Sequence, residues 1–168
     1  MPIELVPYDD EWPHWFEREA ALLRSVMGEA AVRVEHVGST SIVGMAAKPK
    51  LDMVAAVESL EDARRFIAPL LEHGYHYRDD PDVPSRLYFS KSPSSEPVHL
   101  SLTEIGSNCW RDQVYFRDYL RVHPEAADEY RRLKESLAEE HADEVVSYCE
   151  GKTSLVQRIV EKALKEGA

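Results

Sequence analysis

The residues of this chain with the most chemical potential crowd into one short stretch. Glu35-His36-Val37-Gly38-Ser39-Thr40-Ser41 is followed shortly by Lys48-Pro49-Lys50-Leu51-Asp52. A strand that runs into Gly-Ser-Thr-Ser and then into a helix exposes free backbone amides and hydroxyls at one point. That set suits a phosphate, because amides and hydroxyls donate and a helix end adds partial positive charge. Gly38 lets the backbone approach a ligand closely or take a positive φ. The competing reading is that Ser39, Thr40 and Ser41 cap a short helix. Asp52 is the one ionisable side chain in an otherwise apolar strand, where an unpaired charge is costly. It is either a divalent-metal ligand or general base, or one half of a salt bridge, for instance with Lys48.

Other candidates lie further along. Arg86, Tyr88 and Ser90 alternate on one face of a predicted strand, with Leu87 and Phe89 on the other. Arg86 and Lys91 are candidates to hold a phosphate or carboxylate near the turn; the alternative is a solvated strand face. Tyr148 and Lys152 share a helix face at i, i+4. Arg117, Asp118 and Arg121 read as a set of ion pairs on a helix surface rather than a ligand site. Trp12, Trp15 and Trp110 read as packing anchors. His14, His73, His76, His123 and His141 show no HxH or HxxxH spacing, and no ligand role is expected of them. Cys109 and Cys149 have no CxxC spacing and read as reduced, partly buried thiols.

The elements that must position these groups follow from periodicity. A first helix is expected from Asp9 or Asp10, with Pro13 tolerated near its start. Alternation predicts strands over 32–37 and 51–57, with a short helix through Met45-Ala46-Ala47 between them. A helix is predicted over 59–72, two strands within 75–90 joined by DDPDVPS, and a strand over 97–103. The period then turns helical, over 109–122, from Pro124 onward, and over 143–165 with Gly151 as a weak point. A mixed sheet of four or five strands followed by a helical segment is an α+β layout in a single domain spanning 1–168.

Composition narrows the function. The 43% hydrophobic fraction supports a core, and 30% charged residues fit an ordinary solvated surface. A net charge of -11 opposes non-specific attachment to nucleic acid or to an anionic membrane, so neither partner is expected. MPIELVPYDD carries no apolar core segment and no basic leader, and no stretch approaches the roughly 20 apolar residues of a membrane span. The expected location is the cytoplasm.

The run HVGSTSIVGMAAKPKLDMVAAV resembles the GrpB family, a branch of the nucleotidyltransferase superfamily. The resemblance continues in YDDEWPHWFERE, HLSLTEIGSNCW and FRDYLRVHPEAADEY, and so covers nearly the whole chain. It implies a nucleotidyltransferase-like mixed sheet flanked by helices, with nucleotide phosphates at Gly38, Ser39, Thr40 and Ser41. In that superfamily two acids, two residues apart on the strand after the turn, bind magnesium, and a third comes from a later strand. Asp52 matches the first acid. Val54 stands at the second, as is usual for the branch. The later strand offers His99 and Ser101, where the family tends to have His-Leu-His. Asp52 and His99 are therefore the candidates for catalysis and for a divalent metal, whether magnesium or a transition metal. Lys48, Arg86 and Lys152 are the candidate phosphate-binding cations, Lys152 by resemblance to the helical lysine that related enzymes send to a triphosphate.

Two functions follow from that set. One is a nucleotidyltransferase moving a nucleotidyl group from a nucleoside triphosphate to a small acceptor. The other is a nucleotide- or phosphometabolite-binding module without catalysis that assists a partner such as a dephospho-coenzyme A kinase.

Overall fold

The computed structural model describes residues 3–91 and 97–167. Helix α1 (Trp12–Met27) leads into strands β1 (Arg33–Val37) and β2 (Leu51–Val57). Helices α2 (Leu60–Ala63) and α3 (Ile67–Glu72) precede strands β3 (Tyr75–Arg78), β4 (Arg86–Lys91) and β5 (Val98–Glu104). Helices α4 (Asn108–Val122), α5 (Pro124–Glu140) and α6 (Val145–Lys165) complete the fold. The strands form one sheet in the order β1-β2-β5-β4-β3. Only the β2–β5 pair is parallel, so the sheet is mixed and the architecture is α+β.

Strand alternation divides the sheet into two chemically different faces. Leu51, Met53 and Ala55 of β2, Phe89 of β4, and Leu100 and Leu102 of β5 cluster with Trp12, Trp15, Leu23 and Leu70. Each large apolar side chain buried there contributes about 1.5–3 kcal/mol. The opposite face carries Glu35, Asp52, His99, Ser101, Arg86 and Tyr88. It meets α4 through a small cluster of Val37, Val54 and Val114. Helices α4–α6 have a core of their own around Phe116, Tyr130, Leu155 and Ile159. The polar face of the sheet and this helical unit together frame the candidate site.

Three local expectations need correction. No helix forms through Met45-Ala46-Ala47. The turn is one three-residue 3-10 element, Ser39–Ser41, after which Ile42 is extended and Ala47 bridges to Val6. The helix expected over 59–72 is interrupted by a 3-10 segment, Arg64–Phe66. Pro69 has no N–H to close an α-type bond onto Arg65, which accounts for the break. Gly151 is not a weak point. A Cβ there would stand 2.5 Å from Leu137 Cδ2, so the missing side chain lets α5 and α6 approach closely. The first helix is close to expectation, with Asp9 Oδ1 accepting the Glu11 N–H at 2.9 Å just ahead of it.

Candidate functional site

Pairing of β2 with β5 sets Asp52 directly opposite His99. Both side chains project from the polar face, with 3.8 Å between Asp52 Oδ1 and His99 Nδ1. The Tyr88 hydroxyl lies 2.8 Å from the same His99 nitrogen. Burial, followed by the charge of Lys50, holds the His99 pKa below its ordinary value, and Asp52 offsets this only in part. The imidazole is therefore neutral near pH 7, and its contact with Asp52 is not an ion pair. The salt-bridge partner of Asp52 is Lys50, at 3.5 Å, rather than Lys48.

Gly38 fixes how the turn meets this carboxylate. Its φ is 73°, and an added Cβ would stand 2.6 Å from Asp52 Oδ2. Of the three turn hydroxyls, two are committed elsewhere. Thr40 Oγ1 shares a 2.9 Å hydrogen bond with His36 Nε2 and is buried. Ser41 Oγ donates to the Gly38 carbonyl at 2.5 Å. Ser39 is the hydroxyl left, close enough to Tyr130 to lower its pKa in part against burial. The turn thus does not present Thr40 and Ser41 as side-chain donors. A three-residue 3-10 element also supplies less partial charge than the end of a longer helix would.

Lys48 and Lys152 come from different parts of the chain to one aromatic ring. Their ammonium groups lie 4.8 Å and 4.5 Å from the centre of Tyr148. Burial pushes Lys152 down to about 8, with Lys48 and Lys50 adding repulsion and Cys149 and Asp52 opposing it. Neither lysine lines the cavity beside Asp52, whereas Arg86 does, without reaching the turn. It pairs with Thr103, well along the sheet from the Asp52–His99 row. Its guanidinium stacks over Tyr88 at 4.3 Å and reaches Asp80 at 3.3 Å. Gly38, Asp52, Tyr88, His99 and Arg86 line a cavity of about 570 Å³, closed by Phe116, Tyr130 and Val156. A larger cleft of about 890 Å³ opens on the other side of the turn, beside His36, Thr40 and Arg121, and does not include Asp52.

The donors differ from the magnesium site that the resemblance implies. Val54 is fully buried against Val37 and Val114. Among the described residues no three His, Cys, Asp or Glu side chains gather around a common point. One carboxylate, already paired with Lys50, and one imidazole nitrogen, already engaged by Tyr88, are a poor donor set for a cation that prefers several oxygens.

Sequence reasoning missed three basic residues. Arg117 is buried. It donates from Nη1 to Glu35 at 2.6 Å and to the His36 carbonyl at 3.1 Å, besides its pair with Asp118. Arg121 donates twice to the Ser41 carbonyl, at 3.1 Å and 3.0 Å. These two are not merely a surface ion-pair set; they clamp the backbone on either side of Gly38. Lys134 is buried and donates to the Ala46 carbonyl, two residues before Lys48, at 2.7 Å. An i, i+4 spacing of Arg117 and Arg121 was the available signal, but it is shared by many solvated helix faces.

A mixed sheet whose glycine turn abuts a strand carboxylate, with helices packed on both faces, places the chain in the nucleotidyltransferase-like class of α+β folds. Cid1 poly(U) polymerase with Mg 3'-dATP bound agrees at the level of fold, with a TM-score of 0.53 and 14% identity over 80% of this chain and 43% of that one. The chain belongs to the GrpB family, whose model, described as GrpB protein, matches residues 2–162. The crystal structure of the conserved protein GrpB from Enterococcus faecalis is similar, with a TM-score of 0.90 and 31% identity over 97% of this chain and 98% of that one. The protein YqkA of Bacillus subtilis (strain 168) is 35% identical over 96% of this chain, which spans 47% of YqkA. A dephospho-CoA kinase of Mycolicibacterium paratuberculosis is 35% identical over 84% of this chain and 41% of its own length. No helix among the described residues is long and apolar enough to cross a membrane.

Proposed function

We propose that the chain binds a nucleotide or another phosphorylated small molecule, with its phosphates at the Gly38–Ser39 turn and the two lysines that flank Tyr148. The observation that carries this reading is the convergence of Lys48 and Lys152 on one ring. Among the described residues, the lysine ion pairs are Lys50–Asp52 and Lys91–Glu19, so neither of the two has a carboxylate partner. Half-buried ammonium groups without a counter-ion, in a chain of net charge -11, make a local anion site. Here lysines supply the positive charge that magnesium supplies in the superfamily, and the anion does not need a metal in order to bind. The sugar or base would occupy the cavity against Val156 and Phe116, whose apolar walls suit a flat ring. A cytoplasmic setting, where nucleotides and phosphometabolites are plentiful, belongs to the same proposal.

Nucleotidyl transfer to a small acceptor is the second reading. The contact between Asp52 and Gly38 favours it, because it keeps one superfamily carboxylate against the turn. The dephospho-CoA kinase relative supports a third ligand choice within the binding reading, a phosphorylated coenzyme A precursor. Calorimetric titration with nucleoside triphosphates and with dephospho-coenzyme A, with and without magnesium, tests the proposal. Binding that survives chelation of metal and weakens in Lys48→Ala supports it. Equal affinity for wild type and Lys48→Ala overturns it. Release of pyrophosphate from a nucleoside triphosphate, abolished in Asp52→Ala, would establish the transfer reading.

A further inference from the structure

Lys134 is the least expected charge in the molecule. Its side chain sits on α5 with 1% of the residue exposed, and its ammonium stands 5.1 Å from the centre of the Tyr130 ring. A buried ammonium is costly unless it is paired. Among the described residues, Lys134 donates one hydrogen bond, to the Ala46 carbonyl two residues before Lys48. No ion pair involves Lys134 among the described residues, and the charges that act on it are those of Lys152, Glu135 and Lys48. Three ammonium groups from a loop, α5 and α6 are thus gathered around Tyr130 and Tyr148, none of them ion-paired to a carboxylate among the described residues. Hydrophobic packing alone would have been served at least as well by Met or Leu at 134.

We propose that Lys134 completes the phosphate site: with Lys48 and Lys152 it forms a trio of ammonium groups without ion-pair partners that favours a ligand with two or more adjacent phosphates over one with a single phosphate. The inference rests on the phosphate-site reading above. Lys134 is a positioning residue that acts through its charge and its hold on the Ala46 carbonyl, not by touching the ligand. In a poorly hydrated interior such a charge is felt more strongly than at the surface. One phosphate carries about -1.5 to -2 at neutral pH. Three ammonium groups exceed that, and a diphosphate matches them more closely.

The same crowding determines what happens to protons. Burial pushes Lys134 down to about 7, with repulsion from Lys152 and Lys48, and Glu135 opposing. Lys152, pushed to about 8, faces Lys48, Lys50, Cys149 and Asp52. Above neutral pH the free protein holds less than its full complement of protons at this trio. An arriving polyphosphate favours the charged forms, so binding draws protons in.

The test is calorimetry at pH 8 with inorganic pyrophosphate and inorganic phosphate, in two buffers of different ionisation enthalpy. The proteins are wild type, Lys48→Ala, Lys134→Met and Lys134→Gln, with folding checked by circular dichroism. Wild type is expected to bind pyrophosphate about tenfold or more tighter than phosphate, as one added charge contact in a partly buried site supplies. In Lys134→Met the preference should shrink about tenfold and the proton uptake should fall relative to wild type. A purely structural role for Lys134 would not move the proton count. Lys134→Gln keeps a donor for the Ala46 carbonyl and serves if the Met variant does not fold. If the anions bind, Lys48→Ala weakens them, and both Lys134 variants match wild type in preference and proton uptake, this inference fails alone. If wild type binds neither anion, the phosphate-site reading fails and this inference with it.

Discussion

Gly38 and Asp52 are built around one another: the Cβ that Gly38 lacks would stand 2.6 Å from Asp52 Oδ2 and 3.0 Å from Asp52 Cβ. The backbone at 38, with φ 73° and ψ -172°, is also in a region that side-chain-bearing residues rarely adopt. Gly38→Ala therefore meets two independent penalties, about 1–3 kcal/mol for the backbone and a further steric cost. Adding Asp52→Ala should recover part of the second and none of the first. Denaturant melts of the two single variants and the double variant measure this; an unchanged midpoint for Gly38→Ala would refute the close contact.

His36 should make stability acid-sensitive in a defined window. Burial, then the charge of Arg121, pushes its pKa from 6.5 down to about 4. Between those values the unfolded chain binds more protons than the folded one, so stability falls as pH drops from 6.5 to about 4, and this contribution is then complete. The full effect is about 3 kcal/mol. The His36 ring stacks on Phe16, centroids 5.1 Å apart, so His36→Phe with Thr40→Val retains an aromatic ring there and leaves no orphaned hydroxyl. Its melting temperature between pH 4 and pH 7 should be flatter than that of wild type; parallel profiles would show that His36 does not titrate as described.

The central pair of the site was legible in the sequence, and its surroundings were not. Alternation along 51–57 and 97–103 is enough to place Asp52 and His99 on one face, because a strand offers only two. The parallel pairing that sets them side by side is a long-range fact the pattern does not contain. Thr40 and Ser41 were expected to face a ligand because Ser and Thr suit phosphates. The backbone instead closes a single 3-10 turn, which aims Thr40 at His36. Arg117 and Lys134 sit on amphipathic helices where a basic residue ordinarily meets solvent. What buries them arrives from 81 and 88 residues earlier in the chain. Local periodicity carries no trace of a partner at that separation.

The close approach of α5 and α6 at Gly151 gives a prediction with a sign change. Ala is better than Gly inside a helix by about 1 kcal/mol. Here its Cβ would meet Leu137 Cδ2 at 2.5 Å and Cδ1 at 2.9 Å. Overpacking of that kind costs about 1–3 kcal/mol. Gly151→Ala should therefore be neutral to destabilising in wild type and stabilising in a Leu137→Ala background. Thermal melts of the four proteins decide this, and a stabilising Gly151→Ala in the wild-type background would contradict the packing.

Arg117 and Arg121 sit one helical turn apart on α4 and hold the backbone at His36 and Ser41, on either side of Gly38. Neither lines the cavity beside Asp52. If the turn amides bind an anion, these arginines should still affect that binding, by keeping the turn in its tight conformation. Removing Arg117 also strands Glu35, whose carboxyl burial would raise but whose hydrogen bonds with Arg117 and Arg33 hold below its ordinary value. Breaking one member of a buried pair costs about 3–5 kcal/mol, and Arg33, 2.7 Å from Glu35, should limit the loss to the low end. Because the Glu35 pKa is lowered on folding, this stabilisation is present above its unfolded value and lost as pH falls through the folded one. Arg117→Met should therefore narrow its stability gap to wild type in strong acid. Arg121→Met removes only hydrogen bonds to one carbonyl, at about 1.5–3 kcal/mol for a charged donor. Both variants should weaken phosphate binding, with Lys48→Ala adding its own loss nearly independently, since charge and turn geometry are separate contributions. Anion titrations of Arg121→Met, Lys48→Ala and the double variant separate the two: additive losses support a turn that binds through its backbone. An Arg121→Met protein that stays folded and binds phosphate as wild type does would leave the lysines as the whole of the site.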